Sequence, residues 1–212
     1  MTNREIQEQR IKEFFVGAAM KIVREEGEAA VTVRRIANEA GYAPGTLYNY
    51  FRDLNELLFN CVVEFFQECR DYALEFSREA SDPVARLLSI AEAYSSYFLR
   101  NPNIYHLVFL ADISVPENAT VAGHYQPEIV RISAELLQQC AQEGRVDPAD
   151  TEVILSFLAN TIHGNLLFFL TGRSGNTTET SVLEKIRYEM RWVIERSARS
   201  PVERNREKED KT

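Results

Sequence analysis

Apolar residues recur along this chain three and four positions apart, the spacing that gives a helix one greasy face. Ile11, Phe14, Phe15, Ala18, Ala19, Ile22 and Val23 form the first such stripe, which ends near Gly27. Val33, Ile36, Ala37 and Ala40 form a shorter one, closed by Gly41. Pro44 then suits the first turn of another helix, where its missing N–H has no partner to lose. In that helix Leu47 and Phe51 lie four apart and can pack inward, leaving Thr46, Tyr48, Asn49 and Tyr50 outward. A long helix is predicted from Asp53, as its cap, to about Ser77, burying Leu57, Leu58, Cys61, Val62, Phe65 and Phe66.

The helical period continues to the end. Ser81-Asp82-Pro83 opens a helix carrying Leu87, Leu88, Ala91, Tyr94 and Phe98, and Asn101-Pro102 opens a short one holding Ile104 to Leu110. A loop with Pro116, Asn118 and Gly123 precedes an amphipathic helix from Tyr125 to Cys140, and Gly144 closes it. Asp147-Pro148 opens a helix to about Leu170 that is apolar most of the way round, which predicts burial on more than one side. The last helix, Glu179 to Ser197, carries Val182, Ile186, Met190, Trp192, Val193 and Ile194. No strand alternation persists, so the predicted fold class is all-α. The polar stretch 200–212 predicts a disordered tail.

The pair of helices around Gly41 has the form of a helix-turn-helix, whose second helix reads a DNA groove. An ordinary helical hairpin fits the spacing equally well. The outer face separates the two. A solvated face is commonly Glu and Lys, whereas Thr46, Tyr48, Asn49 and Tyr50 can hydrogen-bond to bases and phosphates without charge.

At these residues the chain resembles the tetracycline-repressor (TetR) family of bacterial transcriptional regulators. The matching residues are Thr32-Val33-Arg34, Ile36-Ala37, Ala40-Gly41, Gly45-Thr46-Leu47-Tyr48 and Tyr50-Phe51, followed by Glu56-Leu57-Leu58. The resemblance is strong over roughly residues 8 to 66. It implies an N-terminal three-helix DNA-binding domain at 1–52 and a C-terminal helical bundle for ligand binding and dimerisation at 53–199. It also carries roles. Thr32 starts the first helix of the motif and can cap it or meet a phosphate, and Arg34 can reach a base edge or the backbone. Pro44, Gly45, Thr46, Tyr48 and Asn49 face the groove, and Tyr50 contacts a phosphate. The chain departs from the family at Ala43, where a capping Ser or Thr is usual, and at Leu54, where Lys is common. A lost N-cap costs about 1 kcal/mol.

Charge and composition narrow this picture. The net charge is −8, but residues 1–52 carry +1 and the remainder −9, so DNA contact is expected only at the N-terminal end and with a modest salt slope. No contiguous apolar run reaches the length of a membrane span, and the start of the chain has no apolar signal core, which predicts a cytoplasmic protein without membrane contact. Cys61, Cys69 and Cys140 read as buried thiols. His106, His124 and His163 are scattered, and no nucleophile motif, phosphate loop or zinc spacing occurs, so neither catalysis nor a metal or cofactor is expected.

The expected partners are a palindromic double-stranded operator, a second copy of the chain and a small-molecule effector. The apolar last two helices fit a monomer core as well as a dimer; reading a palindrome requires two copies. For the effector, the candidates with apolar bodies and polar tips are Tyr94, Tyr97, Tyr105, His106, Tyr125 and His163. Asn160, His163 and Asn165 lie on the apolar helix and need partners if buried. Repressor action is the resemblance's implication, with an apolar or aromatic ligand. The alternative is a helical protein-interaction adaptor without site-specific DNA binding.

Overall fold

The structure, a computed structural model, describes residues 2–115 and 128–197. Among them it is helical, in the order α1 (Asn3–Glu26), α2 (Val33–Ala40), a 3₁₀ segment (Pro44–Asn49), α3 (Leu54–Phe76), α4 (Pro83–Arg100), α5 (Pro102–Phe109), α6 (Glu128–Gln142), α7 (Thr151–Leu170) and α8 (Glu179–Ser197). The described residues fall into two compact units, 2–68 with 101–115, and 69–100 with 128–197.

In the first unit, Phe15, Ala19, Ile36, Leu47, Phe51, Leu57 and Phe65 form the core. Phe15 is its hub, with the rings of Tyr42, Tyr50 and Phe51 centred 5.2, 6.1 and 6.5 Å away. Local chemistry sets the element ends. Gly41 terminates α2 with φ +77°, a left-handed conformation that glycine adopts without a Cβ clash. Asp53 Oδ1 accepts from the Glu56 N–H at 2.8 Å, capping the start of α3, and the Glu56 carboxylate accepts from the Arg52 N–H at 2.7 Å. α5 is tied to the end of α1: the Asn103 side-chain amide donates to the Arg24 carbonyl at 3.3 Å, and the Arg24 guanidinium donates to Glu68 at 2.6 Å and to Asn101 at 3.2 Å.

In the second unit, α4 packs against α6, α7 and α8, with further pairs α6–α7 and α7–α8. Leu87, Leu88, Phe98, Leu137, Leu166, Ile186 and Met190 are buried between them. Asp82 caps α4 through the Ala85 N–H at 2.8 Å and pairs with Arg145. That guanidinium and the helix-end N–H groups hold the Asp82 carboxyl below its ordinary pKa.

Several sequence expectations need correction. Phe14 is 59% exposed and Val16 takes the buried place, because the inward face of α1 centres on Phe15, Ala19 and Ile22 and Phe14 lies a hundred degrees back from it. The element after the turn is a 3₁₀ segment of six residues rather than an α-helix. Its first residue lacks an N–H, its second is glycine, and Tyr50 N–H bonds three residues back to Leu47 at 3.0 Å. No contiguous apolar run reaches membrane-span length, but one helix of the described residues is long and apolar enough on average. Within Pro148–Leu170 the mean hydropathy reaches 1.7, enough by length and composition to cross a membrane. Counting contiguous residues misses it, because Asn160, His163 and Asn165 interrupt the run. Finally, α7 buries Ile154, Leu158 and Leu166 but leaves Val153, Phe157 and Phe168 exposed. The predicted loop with Pro116, Asn118 and Gly123, the first residues of the helix expected from Tyr125, His124, and the tail 200–212 lie outside the described residues.

Candidate functional site

The candidate groove-reading surface is built on two buried anchors. Leu47 is fully buried and Phe51 nearly so, and both hold the Pro44–Asn49 segment down on α1 and α2. With those two side chains committed inward, Tyr48 is 58% exposed and Asn49 is exposed beside it. Pro44 and Gly45 are exposed, and Thr46 is half-buried. A Cβ built on Gly45 meets nothing within 4 Å, so the fold itself does not require glycine there. Tyr50 is half-buried, its ring packed near Phe15. Ala43 makes no side-chain cap, as its methyl dictates.

At the start of α2, Thr32 is exposed, extended (φ −133°, ψ 150°), and its hydroxyl accepts from the Arg35 N–H at 3.3 Å. The next two cations differ in employment. Arg35 is engaged by Glu26 through both guanidinium nitrogens, one at 2.9 Å, and that pairing holds the Glu26 carboxyl below its ordinary pKa. Arg34 is exposed and makes no ion pair among the described residues. Lys21 is paired with Glu39 at 2.6 Å and Arg52 with Asp53 at 3.1 Å. Around the Pro44–Asn49 segment and the start of α2 the described residues therefore offer hydroxyls, an amide and the Arg34 guanidinium rather than a dense positive field. Tyr42, which sequence reasoning passed over, is half-buried at 5.2 Å from Phe15; its place just after Gly41 is the only hint in the sequence.

A separate feature lies within the second unit. Leu87, Ile90, Ala91 and Tyr94 of α4, Ile129, Val130 and Ser133 of α6, Leu155, Leu158, Ala159, Ile162 and His163 of α7, and Met190 of α8 line a cavity of about 90 Å³. Of the ligand candidates, Tyr94 and His163 meet here. The Tyr94 hydroxyl lies 3.3 Å from His163 Nε2, with the rings edge to face. Burial pushes the His163 imidazole below its ordinary pKa. Ser133 spends its hydroxyl on the Ile129 carbonyl at 2.8 Å.

The other candidates are not brought to this cavity. Tyr97 is buried beside Tyr72 and Phe98, at 6.2 and 5.2 Å between ring centres. Tyr105 is buried against Phe109 in the first unit. His106 is half exposed, also in the first unit, with Nδ1 2.9 Å from Glu28 Oε1. Asn160 is exposed. Tyr125 lies outside the described residues. Asn165 finds its partners elsewhere, donating to the Thr161 carbonyl at 2.8 Å and to Glu189 at 3.0 Å. The lining residues Ile90, Ser133 and Met190 were missed because nothing in their local pattern distinguishes them from other inward helix positions.

The second unit also carries an apolar outer surface. Phe157 on α7 and Tyr188 and Trp192 on α8 surround one shallow hollow, with exposures of 48, 69 and 49%. The Arg196 guanidinium lies over the Trp192 ring at 5.2 Å.

Residues 15–61 match the family model described as bacterial regulatory proteins, tetR family. Solved structures share the fold across nearly the whole chain. A protein of unknown function from Rhodococcus sp. RHA1 is 21% identical with a TM-score of 0.73, covering 89% of this chain and 96% of that one. A tetR-family transcription regulator from Shewanella sp. PV-4 is 19% identical with a TM-score of 0.61, covering 87% and 95%. RolR, solved in complex with resorcinol, is 16% identical with a TM-score of 0.64, covering 93% and 97%.

Proposed function

We propose that this chain, whose head belongs to the tetR family of bacterial regulatory proteins, represses transcription in the cytoplasm by binding a palindromic operator as a homodimer, and is released by a small apolar effector. Residues 1–52 form the DNA-binding domain and 53–199 the ligand-binding and dimerisation domain in this reading. The supporting observation is the exposed Tyr48–Asn49 pair above the buried Leu47 and Phe51. Tyr48, Asn49 and the unengaged Arg34 supply base-edge and phosphate contacts, and Pro44, Gly45 and Thr46 let the backbone approach the duplex. Thr32 and Tyr50 bond phosphates from the flanks.

A single segment of this length spans too few base pairs to select a site, so two copies related by a two-fold axis are needed, one per half-site. The apolar surface on Phe157, Tyr188 and Trp192 supports that second copy, since a patch of this kind is covered in a working protein. The cavity with Tyr94 and His163 supports an effector, and RolR offers a related fold holding resorcinol. An effector that prefers one spacing of the two heads shifts operator affinity by its differential binding to the two states. No catalytic residue takes part.

The same apolar patch is what a helical adaptor would present to another protein. Selection of bound sequences from a random duplex pool separates the two. A regulator enriches an inverted repeat; an adaptor enriches nothing.

A further inference from the structure

We infer that the cavity in the second unit takes an uncharged, compact apolar molecule bearing a hydroxyl, a small phenol or cyclic alcohol, whose hydroxyl inserts between Tyr94 and His163. The inference rests on the effector reading above and names the chemical class that the site admits.

Three observations carry it. First, no Asp, Glu, Lys or Arg is among the described residues that line the space. A carboxylate or ammonium taken there would lose its hydration and find no counter-charge among those residues, which selects against ions as ligands. Second, the polar groups converge on one place. Ser133 bonds its own helix, so Tyr94 and His163 supply the directional contact from opposite helices. Their mutual separation, 3.3 Å, is long for an O–H and nitrogen pair, and a guest hydroxyl placed between them meets a donor on one side and a ring nitrogen on the other. The guest donates to the imidazole nitrogen and accepts from the phenol, which keeps both protein groups satisfied. Burial keeps the imidazole neutral near neutral pH, as an acceptor must be. Third, the space is small. At about 90 Å³ it is below the roughly 150 Å³ of an apolar cavity that holds benzene, so the guest is no larger than a single ring and the lining gives way to admit it.

The binding of phenol, cyclohexanol, toluene, benzoate and benzylamine to the full chain, read by ligand-observed NMR and calorimetry at neutral pH, tests this. Phenol and cyclohexanol are expected to bind, toluene at least tenfold more weakly, and benzoate and benzylamine not at all. In Tyr94→Phe and His163→Leu, the preference for phenol over toluene falls towards one while toluene affinity holds. Circular dichroism confirms that each variant is folded; should either fail, the wild-type ranking alone decides. Benzoate or benzylamine binding as tightly as phenol overturns the inference, as does toluene equalling phenol, or none of the five binding. Release of a selected operator by phenol is measured separately. Binding without release keeps the assignment of the cavity and removes the effector role.

Discussion

The two units solve the same folding problem with their chemistry on opposite sides. In the first, the core is a small aromatic cluster around Phe15, and the groups fit for recognition stand outside it on Tyr48, Asn49 and Arg34. In the second, the polar pair that can recognise something is turned inward, at Tyr94 and His163, while the outside carries Phe157, Tyr188 and Trp192. In the proposed reading, a polar ligand such as DNA is met by hydroxyls and amides in water, a small apolar one in an apolar cavity, and a second protein surface by exposed rings. The location of polar and apolar groups relative to each core is thus the main guide to what each unit binds.

The contrast can be broken most severely from beneath the reading surface. Leu47 is fully buried, and Leu47→Ala is expected to cost about 2 to 5 kcal/mol as a core truncation. A head with so small a core should melt well below the second unit, which thermal denaturation resolves as a separate early transition. A single unchanged transition would show that Leu47 does not anchor the segment.

Next comes the outer apolar surface. Phe157→Glu places a charge where a partner copy is expected, and like charges then face each other across the two-fold axis. Sedimentation should show wild-type dimer and variant monomer, with operator affinity falling by more than tenfold. A wild-type monomer would remove the patch as a self-association surface.

A smaller effect concerns the buried imidazole. Its pKa in the folded chain is below the ordinary 6.5, so above that pH both folded and unfolded states are neutral and the group contributes nothing to the slope. As pH falls below 6.5 the unfolded chain takes up the proton first, so stability declines and then levels off below the folded pKa. Melting temperatures across pH 5 to 8 should show a shallower decline in His163→Phe than in the wild type. Equal slopes would place the imidazole in water. Smallest of all, Arg34→Ala should reduce the slope of log affinity against log salt by about one, the signature of one lost phosphate contact. An unchanged slope would assign Arg34 to solvent or to a base edge.

Much of the first unit was legible in the sequence because its signals are local. Gly41, Pro44, Asp53 and Pro102 mark element ends through backbone constraints that hold in any context. Leu47 and Phe51 declare their inward face by spacing. The lining of the cavity is different, because it depends on how four helices rotate about their axes. Tyr94 and Tyr97 lie three positions apart on α4 and look equivalent in the sequence, yet only Tyr94 lines the space. His106 carried the same polar tip as His163 and belongs to the other unit, against Glu28. Phe14 and Val16 exchanged places for a similar reason, since one residue of rotation moves a side chain a hundred degrees.

The most direct measurement concerns Tyr48. On a duplex recovered by selection from a random pool, Tyr48→Ala should lose roughly tenfold to a hundredfold in specific affinity, about 1 to 3 kcal/mol for a base-edge contact. Its melting temperature should match the wild type, because the side chain is 58% exposed. Undiminished affinity for the selected sequence would contradict the assignment of this surface to the groove.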